Sequence, residues 1–434
     1  MPRALRLFRI GCILALVSPM PALAQDVPLS QILPRLIQAE IRLEQPPPGF
    51  VSHEAHFLPG ADQSLAPYLF NQQIVGQLAT FPIGSPTGGF AFTFDAASGT
   101  FQRTTDSFGP AFADRALTNG RGKFTFGTSF QFSKYSSFEG QDLDGGGIKF
   151  YLRHENVPGD LFFEGDLIEA ALSMDLSSAT TTVFGNFGVT DKLDLAVAIP
   201  IVSVSMDATV NASILRVASG QGTTNIHAFQ GGGASRSFSG SQDAAGIGDI
   251  LVRAKYRFAS MAGGGLAAGV DVRLPTGDAE NLLGTGATGA TFTLIGSTTR
   301  GNFGPHFNVG FTTNGDSDVG NIANELTYRV GTEIVAGPRV TLNADVLGRT
   351  MMDIERLELT SVEHRFFNNV GVPGVLPLQE YVARSGSLNL MNLAVGGKFN
   401  LGGNFLLNAN VLFALSDSGV VSKVTPVFGF DYTF

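Results

Sequence analysis

Thiol chemistry is all but missing from this chain, whose only cysteine is Cys12. That cysteine lies in a basic and then apolar start. Arg3, Arg6 and Arg9 lead into the run Ile10 to Val17, and Ala22-Leu23-Ala24 supplies an A-x-A site. The pattern predicts a secretory signal peptide over residues 1–24, cut before Gln25. Disulfides and cysteine-ligated metals are then excluded from the rest. Charge is scarce as well. Asp, Glu, Lys and Arg make up 15% of 434 residues, against about a quarter in an average soluble domain. The net charge of −9 argues against nucleic acid as a partner. Hydrophobic residues reach 44%, yet no stretch after the signal is long and apolar enough for a membrane helix.

Glycine (54 residues) and phenylalanine (36 residues) are abundant instead. The end of the chain shows how they are used. Val424, Pro426, Phe428, Phe430, Tyr432 and Phe434 alternate with Thr425, Val427, Gly429, Asp431 and Thr433. This is the period of a strand with one aromatic face. Such a face on a terminal strand of a soluble protein is a template for aggregation. Against lipid it is at home, and closure into a barrel removes the free edge. A soluble β-sandwich shares the short strands and turns and is the competing reading.

Residues 29–43 have helical spacing at Leu29, Ile32, Leu33, Leu36 and Ile37, with Pro34 as a flaw, and the Pro46-Pro47-Pro48 break follows. Residues 53–120 are broken by Gly and Pro, with strand-like pieces at Ile74–Ile83, Phe90–Asp95 and Thr100–Thr104. Residues 25–120 are expected to form a periplasmic segment able to enter the barrel mouth as a plug. Residues 121–434 form the barrel. Strands are expected to begin near 121, 166, 193, 248, 265, 290, 304, 323, 339, 387, 404 and 421. The fold class is therefore all-β, an antiparallel up-and-down transmembrane barrel of about 12 strands, range 10–14. Short turns near 190–192, 260–264, 301–303, 337–338 and 401–403 alternate with longer loops at 139–165, 211–245, 276–289, 314–322, 352–386 and 416–420, the outer-membrane pattern. Pro200 is expected to mark a bulge, because the apolar parity shifts after it.

The charges of the strands fall on one face: Asp249, Arg253, Lys255, Arg257, Asp271, Arg273, Glu325, Arg329, Glu333, Arg339, Asp345 and Arg349. Arg or Lys on a lipid face costs about 2–4 kcal/mol near the midplane. This face is therefore assigned to the lumen, together with His306. It is either a mixed-charge pathway that sets permeability or a set of paired ladders that holds the barrel together. Apolar character, if the solute needs it, would come from the N-terminal segment or from Phe366, Phe367, Val370 and Leu376 in loop 352–386.

Three stretches resemble one family: Phe187-Gly-Val-Thr-Asp-Lys-Leu-Asp-Leu-Ala-Val-Ala-Ile-Pro200, Val272-Arg-Leu-Pro-Thr-Gly-Asp278 with Leu282-Leu-Gly-Thr-Gly286, and Gly304-Pro-His-Phe-Asn-Val-Gly-Phe311. They look like the meta-pathway phenol degradation family of bacterial outer-membrane proteins, often called simply transporters. The likeness covers roughly residues 120–434. It implies a passive channel for small aromatic or hydrophobic compounds and brings no catalytic residue with it.

Other motifs read as loops. Gly284-x-Gly286-x-x-Gly289 lacks the following helix of a dinucleotide site. His53-Glu54-Ala55-His56 is not a zinc motif. Asp142-Leu-Asp144 and Asn314-Gly-Asp-Ser-Asp318 could hold calcium but suit solvated turns. No cofactor, metal or catalytic residue is assigned. The expected partners are outer-membrane lipid and lipopolysaccharide, the barrel-assembly machinery through the strand ending at Phe434, and a small solute. Two alternatives remain: a fatty-acid or toluene-type transporter with an N-terminal hatch and a lateral opening, and an outer-membrane hydrolase. The hydrolase would need a Ser/His or Asp/His pair at the outer rim.

Overall fold

The computed structural model describes residues 27–44, 66–79, 82, 84–85, 89–95, 97–153, 165–219, 227–261, 263–368 and 370–434. The signal peptide, the Pro46–Pro48 break and the His53–His56 motif lie outside them. The chain begins with α1 (Leu29–Pro34), a π-helical turn (Arg35–Ala39) and α2 (Ala66–Ala79). A small ribbon follows, β1 (Phe92–Asp95) paired with β2 (Thr100–Arg103). Then come β3 (Phe124–Tyr135), β4 (Ser137–Phe138), β5 (Gln141–Asp142), β6 (Ile148–Arg153), β7 (Leu167–Gly188) and β8 (Leu193–Leu215). The next are β9 (Ser235–Ile247), β10 (Ile250–Met261), β11 (Gly264–Leu274), β12 (Gly289–Ser297), β13 (Phe303–Asn314) and β14 (Asn324–Gly337). The last are β15 (Val340–Phe367), β16 (Pro373–Gly402), β17 (Phe405–Ala414), β18 (Val420–Val421) and β19 (Val424–Thr433).

Twelve of these close a ring. Strand β7 pairs with β3 on one side and β8 on the other, and antiparallel neighbours run from β3 through β19, β17, β16, β15, β14, β13, β12, β11 and β10 back to β8. Closure leaves no edge within the bilayer. The lipid face is built from every second residue. Phe126, Phe130, Leu195, Val197, Phe292, Phe307, Phe311, Phe428 and Phe430 are all exposed on it. The terminal strand that suggested a membrane barrel thus has its aromatics outward and Thr425, Val427, Asp431 and Thr433 buried inward.

Strand β8 corrects one expectation. Its register with β7 runs unbroken from Asp194 to Leu215, so Pro200 makes no bulge there. What changes near Pro200 is the surroundings. Below it, Leu195, Val197, Ile199 and Ile201 face outward and Asp194 faces inward. Above it, Val204, Met206, Ala208, Val210 and Ala212 are buried inside, while Ser203 and Asp207 face outward and are exposed. The parity shift is the membrane boundary. Below it lipid lies outside and a polar, charge-lined interior within; above it water lies outside and an apolar core within. Pro200 sits where the other edge of β8 passes from β10 to β9, and its carbonyl accepts Gly248 N–H at 2.8 Å.

Above the boundary the strands continue. Much of 211–245 and 352–386, expected as loops, instead extends two hairpins: β8 to Leu215 and β9 from Ser235, paired from Ile201 to Ser213, and β15 with β16 out to Phe367 and Pro373. The sequence disguised them because Gly, Ser and charged residues there face water on one side only. These hairpins and β6 form a dome over the loop end, closed by an apolar core containing Leu172, Met174, Met206, Val210, Phe150, Leu357 and Tyr381. Phe366, Phe367, Val370 and Leu376 lie near the hairpin tip, remote from the lumen, so they give the lumen no apolar wall; Phe367 and Val370 are exposed.

The N-terminal helices belong to that dome. Leu29, Ile32, Leu33, Leu36 and Ile37 are buried in its core, as their spacing predicts. Helix α2 stands where Ile74–Ile83 was expected to be extended, because Leu69, Phe70, Ile74 and Val75 share its buried face. Both helices therefore sit at the loop end and not on the periplasmic side assigned from sequence. Packing against the long hairpins decided their place, and bonds to neighbouring segments add to it: Ser30 N–H bonds Glu280 C=O in the loop after β11 at 2.9 Å, and Val420 N–H on β18 bonds Gln77 Oε1 at 2.9 Å.

Candidate functional site

After α2, Pro82, Gly84 and Ser85 line the lumen, and from Gly89 on the chain lies toward its turn end. Gly89 N–H reaches Asp431 near the end of β19, and Phe108 N–H bonds the Thr341 hydroxyl at the start of β15 at 3.0 Å. Residues 107–119 are buried almost throughout. The segment leaves the lumen at Gly120, whose φ of +94 needs glycine. Gly188 is also required there, since a Cβ on it would lie 1.9 Å from the Gly120 carbonyl oxygen.

Asp114 is the centre of this segment. Its carboxylate accepts Arg253 Nη1 at 2.8 Å and the Ser85 hydroxyl. Arg253 is fixed by Asp271 as well, through a two-pronged contact at 2.5 and 2.6 Å. The Asp114 backbone makes a reciprocal pair with Asn308: its N–H donates to Oδ1 at 2.7 Å, and its C=O accepts Nδ2 at 2.9 Å. Wall cations take the neighbouring carbonyls. Lys255 donates to Leu117 at 2.8 Å and Arg115 at 3.3 Å, and Arg329 donates to Phe112 at 3.1 Å. Arg115 in turn bonds Gly89 and Ser107 carbonyls. These contacts satisfy backbone groups that have no helix or sheet to join, which lets an irregular segment stay buried.

The expected wall residues divide into groups. Asp249, Asp271, Arg273, Glu325, Arg329 and Arg349 line the lumen together with Arg253. Glu333, His306 and Asp345 form a second cluster nearer the turn end, with the His306 ring between the two carboxylates at 2.9 and 2.6 Å. Arg257 lies at the rim, donating to Asp191 C=O at 2.9 Å. Arg339 is a correction: it is exposed in the turn between β14 and β15, where a register shift at Val335/Gly337 takes it out of the wall. Asp114, Arg115, Asn119 and Asn308 were not singled out from sequence. Asn308 was visible as an inward position. Asp114 gave no signal, since residues 104–120 carry no periodic pattern.

Between α2 and the Asp114–Arg253 contact lies a cavity of about 240 Å³. Its wall combines the arginines and carboxylates just named with apolar side chains such as Leu78, Val202, Leu283, Leu347 and Leu390. The dome core lies beyond α2 on one side and the lumen segment on the other. The chamber is thus set between two closures.

The glycine-rich and carboxylate-rich motifs form loops and turns. Gly284 to Gly289 is a loop, in which Thr285 N–H and hydroxyl bond Asp249 at 2.8 and 2.7 Å. Asp142 accepts Asp144 N–H in a turn, and Asn314 is engaged by Arg273 at 2.5 Å. At the outer hairpins Asp166, His227 and Ser219 do meet. The Ser219 hydroxyl, however, donates to Asp166 at 2.5 Å, while His227 Nδ1 lies 2.9 Å from the same carboxylate. Asp166 and His227 side chains are fully buried. A nucleophile must face its base and the solvent; here both partners converge on the acid, as a staple for the loop after β8 does.

The barrel is similar to solved outer-membrane structures. An outer membrane channel from Pseudomonas putida F1 shares 14% identity, covering 74% of this chain and 98% of that one, with a TM-score of 0.43. A Pseudomonas aeruginosa FadL homologue shares 11%, covering 72% and 90%, with a TM-score of 0.31. The Ralstonia pickettii toluene transporter TbuX shares 13%, covering 82% and 99%, with a TM-score of 0.31. None superposes closely enough to lend this chain its activity. No match was found among curated proteins. Residues 169–349 match the family described as Putative MetA-pathway of phenol degradation, and the three motifs that resemble that family all lie inside the match.

Proposed function

We propose that this protein is a passive outer-membrane channel for small aromatic or hydrophobic molecules, closed at rest by its own N-terminal segment. The observation that carries the reading is the Asp114–Arg253 contact, which ties a non-strand segment to the lumen wall. A barrel of twelve strands is wider than its own side chains fill. Here the buried residues 107–119 and a chamber take up lumen space. The polar wall gives the segment fixed seats, so it can leave and return without disturbing the ring. Selection follows from chamber size, its mixed lining and the cost of moving the segment. No catalytic step is involved. Lipopolysaccharide would meet the polar outer faces of the hairpins, and the assembly machinery would meet the strand ending at Phe434.

The toluene-type alternative shares the hatch, and the chamber beside α2 supports that part of it. Its lateral opening finds no support among the described residues, because pairing continues around the ring. Planar-bilayer recordings and liposome-swelling assays on the full chain test the proposal. Rare, discrete openings and slow entry of neutral solutes are expected. A barrel that passes neither ions nor solutes under any condition would sink it.

A further inference from the structure

Asp114 occupies its seat as a ligand would. Residues 107–119 form neither helix nor strand, and the ring of strands closes without them. The wall supplies the grip. Arg253 Nη1 donates to Asp114 Oδ2 at 2.8 Å, and the positive charges of Lys255 and Arg329 act on the same carboxylate. Those two cations also hold the backbone on either side of it, at Leu117 and Phe112. Asn308 Nδ2 adds a donor, taken by the Asp114 carbonyl at 2.9 Å.

Charge decides what can replace Asp114. Arg253 keeps Asp271 at 2.5 and 2.6 Å, and Lys255 faces Asp194 at 3.6 Å. Arg253, Lys255 and Arg329 thus have two carboxylates from the wall, and Asp114 is the third. Toward the loop end, Arg273 and Arg349 stand with Asp249 and Glu325. Toward the turn end, Glu333, Asp345 and Asp431 stand with His306, Lys398 and Arg115. Lifting Asp114 out leaves one positive charge in surplus among three cations held away from bulk water, which is unfavourable. A monoanion restores the balance. A neutral solute does not, and a cation worsens it.

The seat opens onto the chamber. Arg253, Asn308 and Arg329 line it, and Leu78, Leu283 and Leu390 give an apolar body something to rest against. We propose that Asp114 stands in for a small monocarboxylate with an apolar body, which binds Arg253 from the chamber and frees the lumen segment by taking its seat. The proposal rests on the channel reading for what release does, and on the seat alone for binding.

Benzoate, benzamide and benzylammonium share one ring and differ in charge. Calorimetric titration of the full-length folded protein with each, at neutral pH and constant ionic strength, tests the seat. Asp114→Ala leaves it vacant and is expected to bind benzoate about a hundredfold more tightly than wild type, where the segment competes. The same variant should prefer benzoate to benzamide about tenfold, as a hydrogen bond to a charged group provides. In planar bilayers benzoate should raise the open probability of wild type about tenfold, and benzamide should leave it unchanged. Heat-modifiable migration on gels reports whether the variant folds. If it does not, the preference of wild type for benzoate over benzamide in both measurements decides. Equal affinity of wild type and variant for benzoate overturns the proposal. So does benzamide or benzylammonium binding as tightly as benzoate, or no binding by either protein. Currents indifferent to benzoate, in a protein that does not bind it, leave the channel standing and remove the seat. Binding with the expected preference and no current at all removes the channel and keeps the seat.

Discussion

Asp114 and Arg253 are 139 residues apart in the chain and 2.8 Å apart in the lumen. Arg253 also holds Asp271 of the adjacent strand, so each partner of this contact has a second anchor: Asp271 for the arginine, Ser85 and Asn308 for the aspartate segment. The asymmetry matters for how the segment is released. Losing Asp114 leaves Arg253 paired within the wall. Losing Arg253 would leave two carboxylates, Asp114 and Asp271, buried without their cation.

Asp114→Ala should therefore unseat the segment and spare the barrel. Breaking a buried ion pair costs about 3–5 kcal/mol, and the retained Arg253–Asp271 pair places the loss at the lower end. A shift of about a hundredfold in the ratio of closed to open channels is expected at that size. Open probability in planar bilayers reads it directly. Unchanged gating would mean that this contact does not hold the segment.

A covalent version of the same closure is available. Ala116 N–H bonds the Ser297 hydroxyl at 2.9 Å, and Cys12 is the only native thiol in the chain. The double variant Ala116→Cys with Ser297→Cys should oxidise readily and abolish currents, and reductant should restore them. Currents that persist in the fully oxidised protein would show a path that bypasses the segment.

The change of faces along β8 predicts opposite tolerance at two outward positions. Val197→Arg puts a cation into lipid and should cost about 2–4 kcal/mol in bilayer refolding by urea dilution. Ser205→Arg lies on the same face above the boundary, beside water, and should stay within about 0.5 kcal/mol of wild type. Equal costs at both positions would misplace the boundary.

Acid should loosen the outer hairpins before the barrel. Burial disfavours the ionised form of Asp166. The bonds from His227, the Ser219 hydroxyl and the N–H groups of Ser219 and Ala218 outweigh that and hold its carboxyl below the usual 3.8. A carboxyl depressed in the folded state stabilises above its unfolded pKa, and that stability is lost as pH falls through the folded value. Proteolysis or hydrogen exchange around residues 215–219 should stay slow at about pH 6 and accelerate below about pH 4. Asp166→Asn should be loose at both pH values. Protection that persists unchanged at about pH 3 would assign the staple's strength elsewhere.

Much of the wall is legible in advance. The alternation predicts twelve strand starts, and the structure has twelve ring strands. Parity alone finds inward charges such as Asp271, Glu325 and Arg349, because lipid tolerates no error in alternation. Parity fails where its cause changes. At Pro200 the apolar residues switch faces because the surroundings switch, and the same pattern reads from sequence as a slipped strand. Arg339 fails because a register shift beside a turn ends the alternation. Residues 211–245 and 352–386 fail because a hairpin in water needs only one apolar face, so its composition resembles a loop.

By itself, then, the sequence determined that this chain spans a membrane as a barrel, which side chains meet lipid and which turn inward. Those are local matters, settled by each residue's neighbours two positions away and by the solvent on each face. Only the tertiary structure decided what occupies the lumen. The seat of Asp114 depends on Arg253, Asp271, Asn308 and Ser85 arriving from four separate stretches, and a segment without periodicity carries no mark of the partners it will find.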